Sequence, residues 1–321
     1  MIIGVPKELK EYEGRVGLDP AGARLLVQNG HMILVQDDAG RLSGFSDIDY
    51  SQAGAMVCSE EEVWETPELV VKVKEPQRYE WRLFRKGLKI MTFFHFPANP
   101  ELKKECERAG VVAIPYESIR SPGGFKPILR AMSEVAGEVA ADMASQYLRS
   151  ASGGKGILMS DATVSIIGVW GNVGQKAYYL LRPRVKKIFG LDKVKKPDHL
   201  TSIGMIFEIS TQKSITDAIS KSDVVIGAAA NRDGGAPHLI MRDMVKKMEP
   251  GSVIIDVAID EGGISETSYP TTYANPSYVE ERVVHVCIAN LPGGVPRTST
   301  PRLVTASLPY ILRVAKGENI L

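Results

Sequence analysis

The chain has 321 residues, 44% of them hydrophobic and 24% charged, with a formal net charge of +1. That length suits two domains, the composition is that of a globular protein, and the near-neutral charge provides no basic field for nucleic acid. No apolar run reaches the roughly 18–20 residues that a membrane helix needs.

Short apolar runs alternate with helical patterns along most of the chain, which is the signature of a parallel α/β sheet. Met1-Ile-Ile-Gly-Val5 reads as a buried strand and not as a signal peptide. The first series of strands is predicted at Ile2–Val5, Met32–Gln36, Leu69–Lys74, Lys89–Phe94 and Val111–Pro115. A helix over Pro20–Asn29 has an apolar face of Ala21, Ala23, Leu25 and Leu26 and a stop at Asn29-Gly30. Ser121-Pro-Gly-Gly124 is a loop, and a long Ala-rich helix is predicted from Ser133 to Leu148. After a second loop at Ser150–Gly156 the pattern restarts. Strands follow at Thr163–Gly168, Lys187–Leu191, Met205–Ile209, Val224–Ala228, Val253–Val257 and Val284–Ile288. The tail, Thr300–Leu321, holds one amphipathic helix with Leu303, Leu308, Tyr310, Ile311 and Val314 as its apolar positions. Cys58, Cys106 and Cys287 are far apart and lack a CxxC spacing, so they form neither a disulfide framework nor a zinc site. They fit a reducing compartment, and a cytoplasmic protein is expected.

The most informative local stretch is Ser165-Ile-Ile-Gly-Val-Trp-Gly-Asn-Val-Gly-Gln-Lys-Ala177. A strand runs into Gly168, Gly171 and Gly174, and a helix opens behind them. Glycines permit a tight turn and close approach of a pyrophosphate, and the helix start supplies N–H groups and the positive end of a dipole. The spacing is G-x-x-G-x-x-G in place of the usual G-x-G-x-x-G. Asp192 lies 18 residues after Gly174, where an acid binds ribose hydroxyls and repels a 2′-phosphate. Lys193, Lys195 and Lys196 follow it and could bind such a phosphate; NAD is nevertheless favoured over NADP. A glycine-rich turn that binds nothing is the plainer alternative.

Polar groups also stand where other strands end, the place where open α/β sheets bind ligands. They are Lys74 in Val73-Lys-Glu-Pro76, His95 in Phe93-Phe-His-Phe96, Arg15 after the first strand, and Asp256 and Asp260 in Ile255–Gly263. Each has an ordinary explanation taken singly. Lys74 could be a surface lysine, His95 a core histidine, Arg15 a partner of Glu11 or Glu13, and Asp256 the cap of its turn.

Taken together these segments resemble a known family. Gly4-Val-Pro-Lys-Glu8, Arg15-Val-Gly-Leu-Asp-Pro-Ala-Gly22, Gly44-Phe-Ser-Asp-Ile-Asp-Tyr50 and Lys72-Val-Lys-Glu-Pro76 resemble the N-terminal domain of the alanine dehydrogenase and pyridine nucleotide transhydrogenase family. Ala131-Met-Ser-Glu-Val-Ala-Gly137, Asp256–Gly263, Ser268-Tyr-Pro-Thr-Thr-Tyr273 and Ala289–Thr300 are similar to its alanine dehydrogenase branch. The resemblance implies an α/β protein of two doubly wound parallel-sheet domains, the second a Rossmann domain inserted in the first. Residues 1–125 plus 300–321 would bind substrate, and 126–299 would bind NAD. It implies hydride transfer between L-alanine and pyruvate plus ammonia in a homo-oligomer.

Carried over by position, Arg15 and Lys74 would hold the substrate carboxylate and oxo group. His95 and Asp260 would manage the proton, and Met132 and Asn290 would line the substrate pocket. Gly168, Gly171, Asn172, Val173, Gly174, Asp192, Ser133, Ala228, Ala289, Asn290 and Leu291 would contact NAD. Three departures stand out. The glycine turn has one residue more than the family form, and its spacing resembles saccharopine dehydrogenase. Glu261 stands where the family has glutamine. The family continues beyond the helix around Leu308-Pro-Tyr310 with a segment that this sequence does not carry. Two other readings stay open: reductive condensation of a 2-oxo acid with an amino-acid amine, and a non-catalytic nucleotide-binding subunit of transhydrogenase type.

Overall fold

The computed structural model describes residues 1–195, 204–231 and 235–320. The chain divides into two compact units, 1–132 with 292–321 and 133–291. These bounds differ by several residues from the expected 1–125 with 300–321 and 126–299. Lys196 lies outside the described residues.

The first unit runs β1 (Ile2–Val5), α1 (Pro20–Gln28), β2 (Met32–Gln36), α2 (Asp47–Gln52), β3 (Met56–Cys58), α3 (Glu60–Glu65), β4 (Leu69–Val71), β5 (Lys89–Thr92), α4 (Pro100–Ala109) and β6 (Val112–Pro115). The sheet order is β3-β2-β1-β4-β5-β6, with every pairing parallel. Crossover helices cover both faces of such a sheet, which is why Leu69, Val70 and Val71 are all fully buried. Helix α1 starts where the Asp19 carboxylate accepts the Gly22 N–H at 2.7 Å, with Pro20 in its first turn. The strand order reverses at β1, with β2 on one side and β4 on the other, so the switch point lies between β1 and β4.

Helix α5 (Pro127–Tyr147) begins earlier than the expected Ser133. Its first residue is a proline, which is suited to a first turn whose N–H groups have no intrahelical acceptor.

The second unit runs β7 (Thr163–Ile167), α6 (Asn172–Leu181), β8 (Lys187–Asp192), β9 (Met205–Ile209), α7 (Gln212–Ile219), β10 (Val224–Gly227), α8 (Arg242–Val245), β11 (Val253–Asp256), β12 (Ser277–Glu280) and β13 (Val283–Val286). Its order is β12-β13-β11-β10-β7-β8-β9, and the switch point lies between β7 and β10. Alternate residues serve opposite cores: Val224 and Ile226 of β10 join one buried cluster and Val225 the other.

The second sheet is parallel as expected except at one edge, where β12 pairs antiparallel with β13. Glu281 and Arg282 link the two, with φ of 50° and 65°. Positive φ at both linking residues makes the tight hairpin turn for which Asn-Gly is the usual signal. Here Arg242 holds the turn, its Nη1 donating to Glu280 and, at 2.8 Å, to Glu281. Neither β12 nor the three-residue β3 is among the predicted strands. Several predicted strands overrun their carboxyl ends: Lys74, Phe94, Gly168, Ala228, Val257 and Ile288 all lie just past the ladder.

Helix α9 (Pro296–Ala315) belongs to the first unit, against α1 and the 3-10 turn Arg41–Ser43. Thr300 Oγ1 accepts the Val16 N–H at 3.2 Å and bonds Ser43 Oγ at 2.7 Å, while Leu303 and Ile311 are fully buried. Among the described residues no helix is long and apolar enough to cross a membrane. Nor does any group of three or more His, Cys, Asp or Glu there suit a metal ion.

Candidate active site

In the first unit the candidate residues follow β1, β4 and β5, at the carboxyl edge of the sheet and beside its switch point. Arg15 is buried in the loop after β1. Its Nε and Nη2 donate to the two oxygens of Glu13 at 2.6 and 2.5 Å, and Nη1 lies 3.1 Å from Met132 Sδ. Arg15 and Met132 are therefore brought together, and Glu13, a local alternative partner, grips the guanidinium as a fork. Gly17, two residues on, has no room for a side chain, because a Cβ would overlap the Val71 carbonyl at the end of β4.

Lys74 is 7% exposed and lies beyond β4, not within it. Its carbonyl accepts from Thr92 Oγ1 at 2.8 Å, and the Phe93 N–H donates to the Val73 carbonyl at 3.1 Å. These bonds fix the Lys74 segment beside the turn that carries His95. His95 is only partly buried, so it is not a core histidine. It adopts φ of 49°, a left-handed conformation uncommon for any residue but glycine. The turn holds it there: the His95 N–H donates to Glu117 at 2.8 Å, its carbonyl takes the Ala98 N–H at 2.9 Å, and its ring stacks on Phe93 at 5.9 Å. Strained backbone of this kind persists where the surroundings overdetermine it, and it gathers at functional sites.

Beneath Lys74 lies a buried charge cluster. Lys72 is fully buried, with Nζ 2.8 Å from Glu80 and 3.4 Å from Glu8. Burial opposes its charge, but the Glu8 and Glu80 carboxylates outweigh that and raise its pKa above the usual lysine value. Glu8 also accepts the Val73 N–H at 2.6 Å and the Lys74 N–H at 3.4 Å. Burial pushes the Glu8 carboxyl up to about 7, against the pull of Lys72. Glu8 and Lys72 both stand in the family motifs, yet nothing local in the sequence reveals that these two residues meet.

In the second unit the glycine turn leaves β7 at the switch point. Gly168 has φ of 85°, and a Cβ there would lie 2.6 Å from the Ala228 carbonyl at the end of β10. A Cβ at Gly174 would overlap the Gly168 carbonyl and lie 2.7 Å from Val169 Cα. Gly171 caps α6 without any side-chain bond and is exposed together with Asn172. The N–H groups of the first turn, Asn172, Val173 and Gly174, have no acceptor within the helix. A helix start of this kind, with its backbone open to approach, fits a dinucleotide pyrophosphate.

Asp192 ends β8, with Oδ2 accepting the Trp170 N–H at 2.9 Å and Oδ1 the Lys193 N–H at 2.8 Å. Its carboxylate thus braces the glycine turn from the position of the ribose acid. Asp256 is buried and accepts the Ile264 N–H at 2.8 Å, and burial raises its pKa. It caps its own turn. Asp260 is exposed, and its Oδ2 accepts the Asn290 N–H at 3.2 Å. Asn290 has φ of 66°, a second left-handed non-glycine residue among the candidates. Ala289 precedes it and is partly buried, Leu291 is buried, and Ser133 and Ala228 are partly buried.

Two doubly wound units, one with a glycine turn at its switch point, define a dinucleotide-binding α/β protein. Residues 4–136 match the family model described as alanine dehydrogenase/PNT, N-terminal domain, and residues 140–320 match the one described as its C-terminal domain. The chain is 44% identical to the alanine dehydrogenase of Bacillus subtilis (strain 168), over 98% of this chain and 86% of that protein. It is 42% identical to that of Halomonas elongata, over 98% and 88%. A solved structure of L-alanine dehydrogenase superposes with a TM-score of 0.93 at 36% identity, covering 98% of this chain and 90% of that one. A transhydrogenase from Sinorhizobium meliloti shares the fold, with a TM-score of 0.87 at 22% identity over 99% and 95%. The chain belongs to the alanine dehydrogenase/PNT family.

Proposed function

We propose that this protein interconverts L-alanine with pyruvate and ammonia, using NAD(H), as a cytoplasmic homo-oligomer. The observation that carries the reading is the pair of buried cations, Arg15 and Lys74, at the switch point of the first sheet. Binding a cofactor requires neither of them, whereas a 2-oxo acid presents an anion and a carbonyl that call for both.

The first unit binds the substrate. Arg15, oriented by Glu13 beside Met132, takes the carboxylate with a planar guanidinium. Lys74 polarises the oxo group as a point charge. His95 exchanges the proton as the carbonyl becomes an amine, since an imidazole can both accept and donate one. The second unit binds NAD, with the pyrophosphate on Gly168, Gly171, Asn172, Val173 and Gly174 and the ribose hydroxyls on Asp192. Ser133, Ala228, Ala289, Asn290 and Leu291 line the nicotinamide half, and Asp260, which fixes the Asn290 N–H, assists proton movement. When bound, the nicotinamide carries the hydride.

The test is absorbance at the reduced-nicotinamide band with a panel of 2-oxo acids. Turnover is expected with pyruvate plus ammonia. Turnover with lysine or ornithine in place of ammonia would make the enzyme a condensing one, and no turnover at all would leave a nucleotide-binding subunit. A separate expectation concerns cofactor choice. Asp192→Asn keeps an acceptor for Trp170 N–H and removes the charge, so NADH should lose about 10- to 100-fold in kcat/KM while NADPH gains. An unchanged ratio of the two would exclude Asp192 as the ribose ligand.

A further inference from the structure

We infer that Glu8 is a positioning residue for Lys74: its carboxylate, shared between the Lys72 ammonium and the N–H groups of Val73 and Lys74, fixes the peptide from which Lys74 projects. The inference rests on the substrate role of Lys74 given above. Beyond β4 the chain has left the sheet ladder, so the Lys74 backbone needs anchors of its own. Thr92 holds its carbonyl and Glu8 holds its amide side, so both halves of the segment are tied to neighbours in the same unit. Glu80 completes the frame by binding Lys72 and accepting the Gln77 N–H at 2.6 Å, which fixes the chain on the far side of Lys74.

The cluster sets two carboxylates, Glu8 and Glu80, against one ammonium, with all three side chains almost closed to solvent. Such an arrangement disfavours the second negative charge. The groups that face Glu8 are Lys72 after β4, Glu80 in the 3-10 turn Arg78–Leu83, Glu13 in the loop after β1 and Tyr116 after β6. Burial first, then the Glu13 and Glu80 carboxylates, raise Glu8 against the pull of Lys72 and the Val73 N–H, to about 7 from an ordinary 4.5. Protonation therefore favours the folded state below about 4.5, and that stabilisation is lost as pH rises through about 7. Hence the charged form present above pH 7 is held at some expense of stability, as expected of a group kept for function.

The experiment compares Glu8→Gln, Glu8→Ala and Lys74→Ala with the parent enzyme. Readouts are pyruvate KM and kcat from pH 5.5 to 8.5, NADH Kd by fluorescence, and Tm, with that interval chosen to bracket about 7. The parent should show pyruvate KM rising as pH falls through about 7, because the protonated carboxyl releases its charge contact with Lys72. Glu8→Gln should lose that inflection and show at pH 8 a KM about tenfold above the parent, with NADH Kd unchanged and Tm equal or higher. Glu8→Ala, which also removes the acceptor for Val73 N–H, should be worse in KM. A parent-like KM and pH profile in Glu8→Gln and Glu8→Ala would overturn the proposal. So would a rise in NADH Kd parallel to that in pyruvate KM, since that marks a general structural defect. Parent-like turnover in Lys74→Ala would instead remove the substrate role of Lys74, and the role of Glu8 with it. An inactive Lys74→Ala beside parent-like Glu8 variants would remove the role of Glu8 alone.

Discussion

Lys74→Ala is expected to lower turnover by about 10²–10³-fold or more, the usual loss when one fixed donor to a developing oxyanion is removed. NADH affinity should stay the same. Thr92 and Glu8 hold the Lys74 backbone through its carbonyl and N–H, so the substitution removes the ammonium and leaves the anchors in place. The glycine turn belongs to the other unit and shares none of these bonds. Lys74→Arg should not rescue the rate, because a planar fork does not replace a point charge aimed at one oxygen. Stopped-flow reduction of pyruvate plus ammonia, beside NADH titration, measures both quantities. Parent-like turnover would exclude Lys74 from the chemistry, and a concurrent loss of NADH binding would show that the variant is misfolded.

Arg15→Met should damage both stability and substrate binding, and the two effects can be separated. The side chains of Arg15 and Glu13 are 2% and 0% exposed. Removing one partner of a buried pair takes the opposite charge away from the other, at about 3–5 kcal/mol. For a unit of this size each kcal/mol lowers Tm by about 2–4 °C, so a fall of about 10 °C is expected. Adding Glu13→Gln removes the buried carboxylate charge while keeping an acceptor for the residue-15 N–H, which Glu13 takes at 3.0 Å. The double variant should therefore recover most of the Tm, since buried pairs replaced on both sides are often near neutral. Pyruvate KM should stay high in both variants, because neither carries a cation for the carboxylate. If KM recovers along with Tm, Arg15 serves only to neutralise Glu13.

The local sequence determined the α/β class, the position of most strands and the glycine turn. Each is a short-range property: apolar runs mark strands buried on both faces, and glycines mark backbone that must turn or be approached closely. Gly168 and Gly174 are legible in the sequence because the turn that demands them, with its left-handed φ at Gly168 and its close approach at Gly174, closes within a few residues. Arg15, Lys74 and His95 were singled out only through resemblance, since residue type alone left each with an ordinary reading.

Tertiary structure decided what these residues touch. Arg15 is gripped by Glu13, Asp192 turns its carboxylate onto the Trp170 N–H, and His95 sits in a left-handed turn outside the core. The β12–β13 hairpin was hidden because Glu281 and Arg282 carry no glycine, and their positive φ is sustained by Arg242, 39 positions before Glu281. The cluster of Glu8, Lys72 and Glu80 was hidden for the same reason. Glu8 reaches the Val73 N–H across 65 positions of sequence, a contact that exists only because β1 and β4 are neighbours in the sheet. Periodicity reports which side of an element is buried, whereas the partner of a buried charge is chosen by whichever distant segment the fold lays against it.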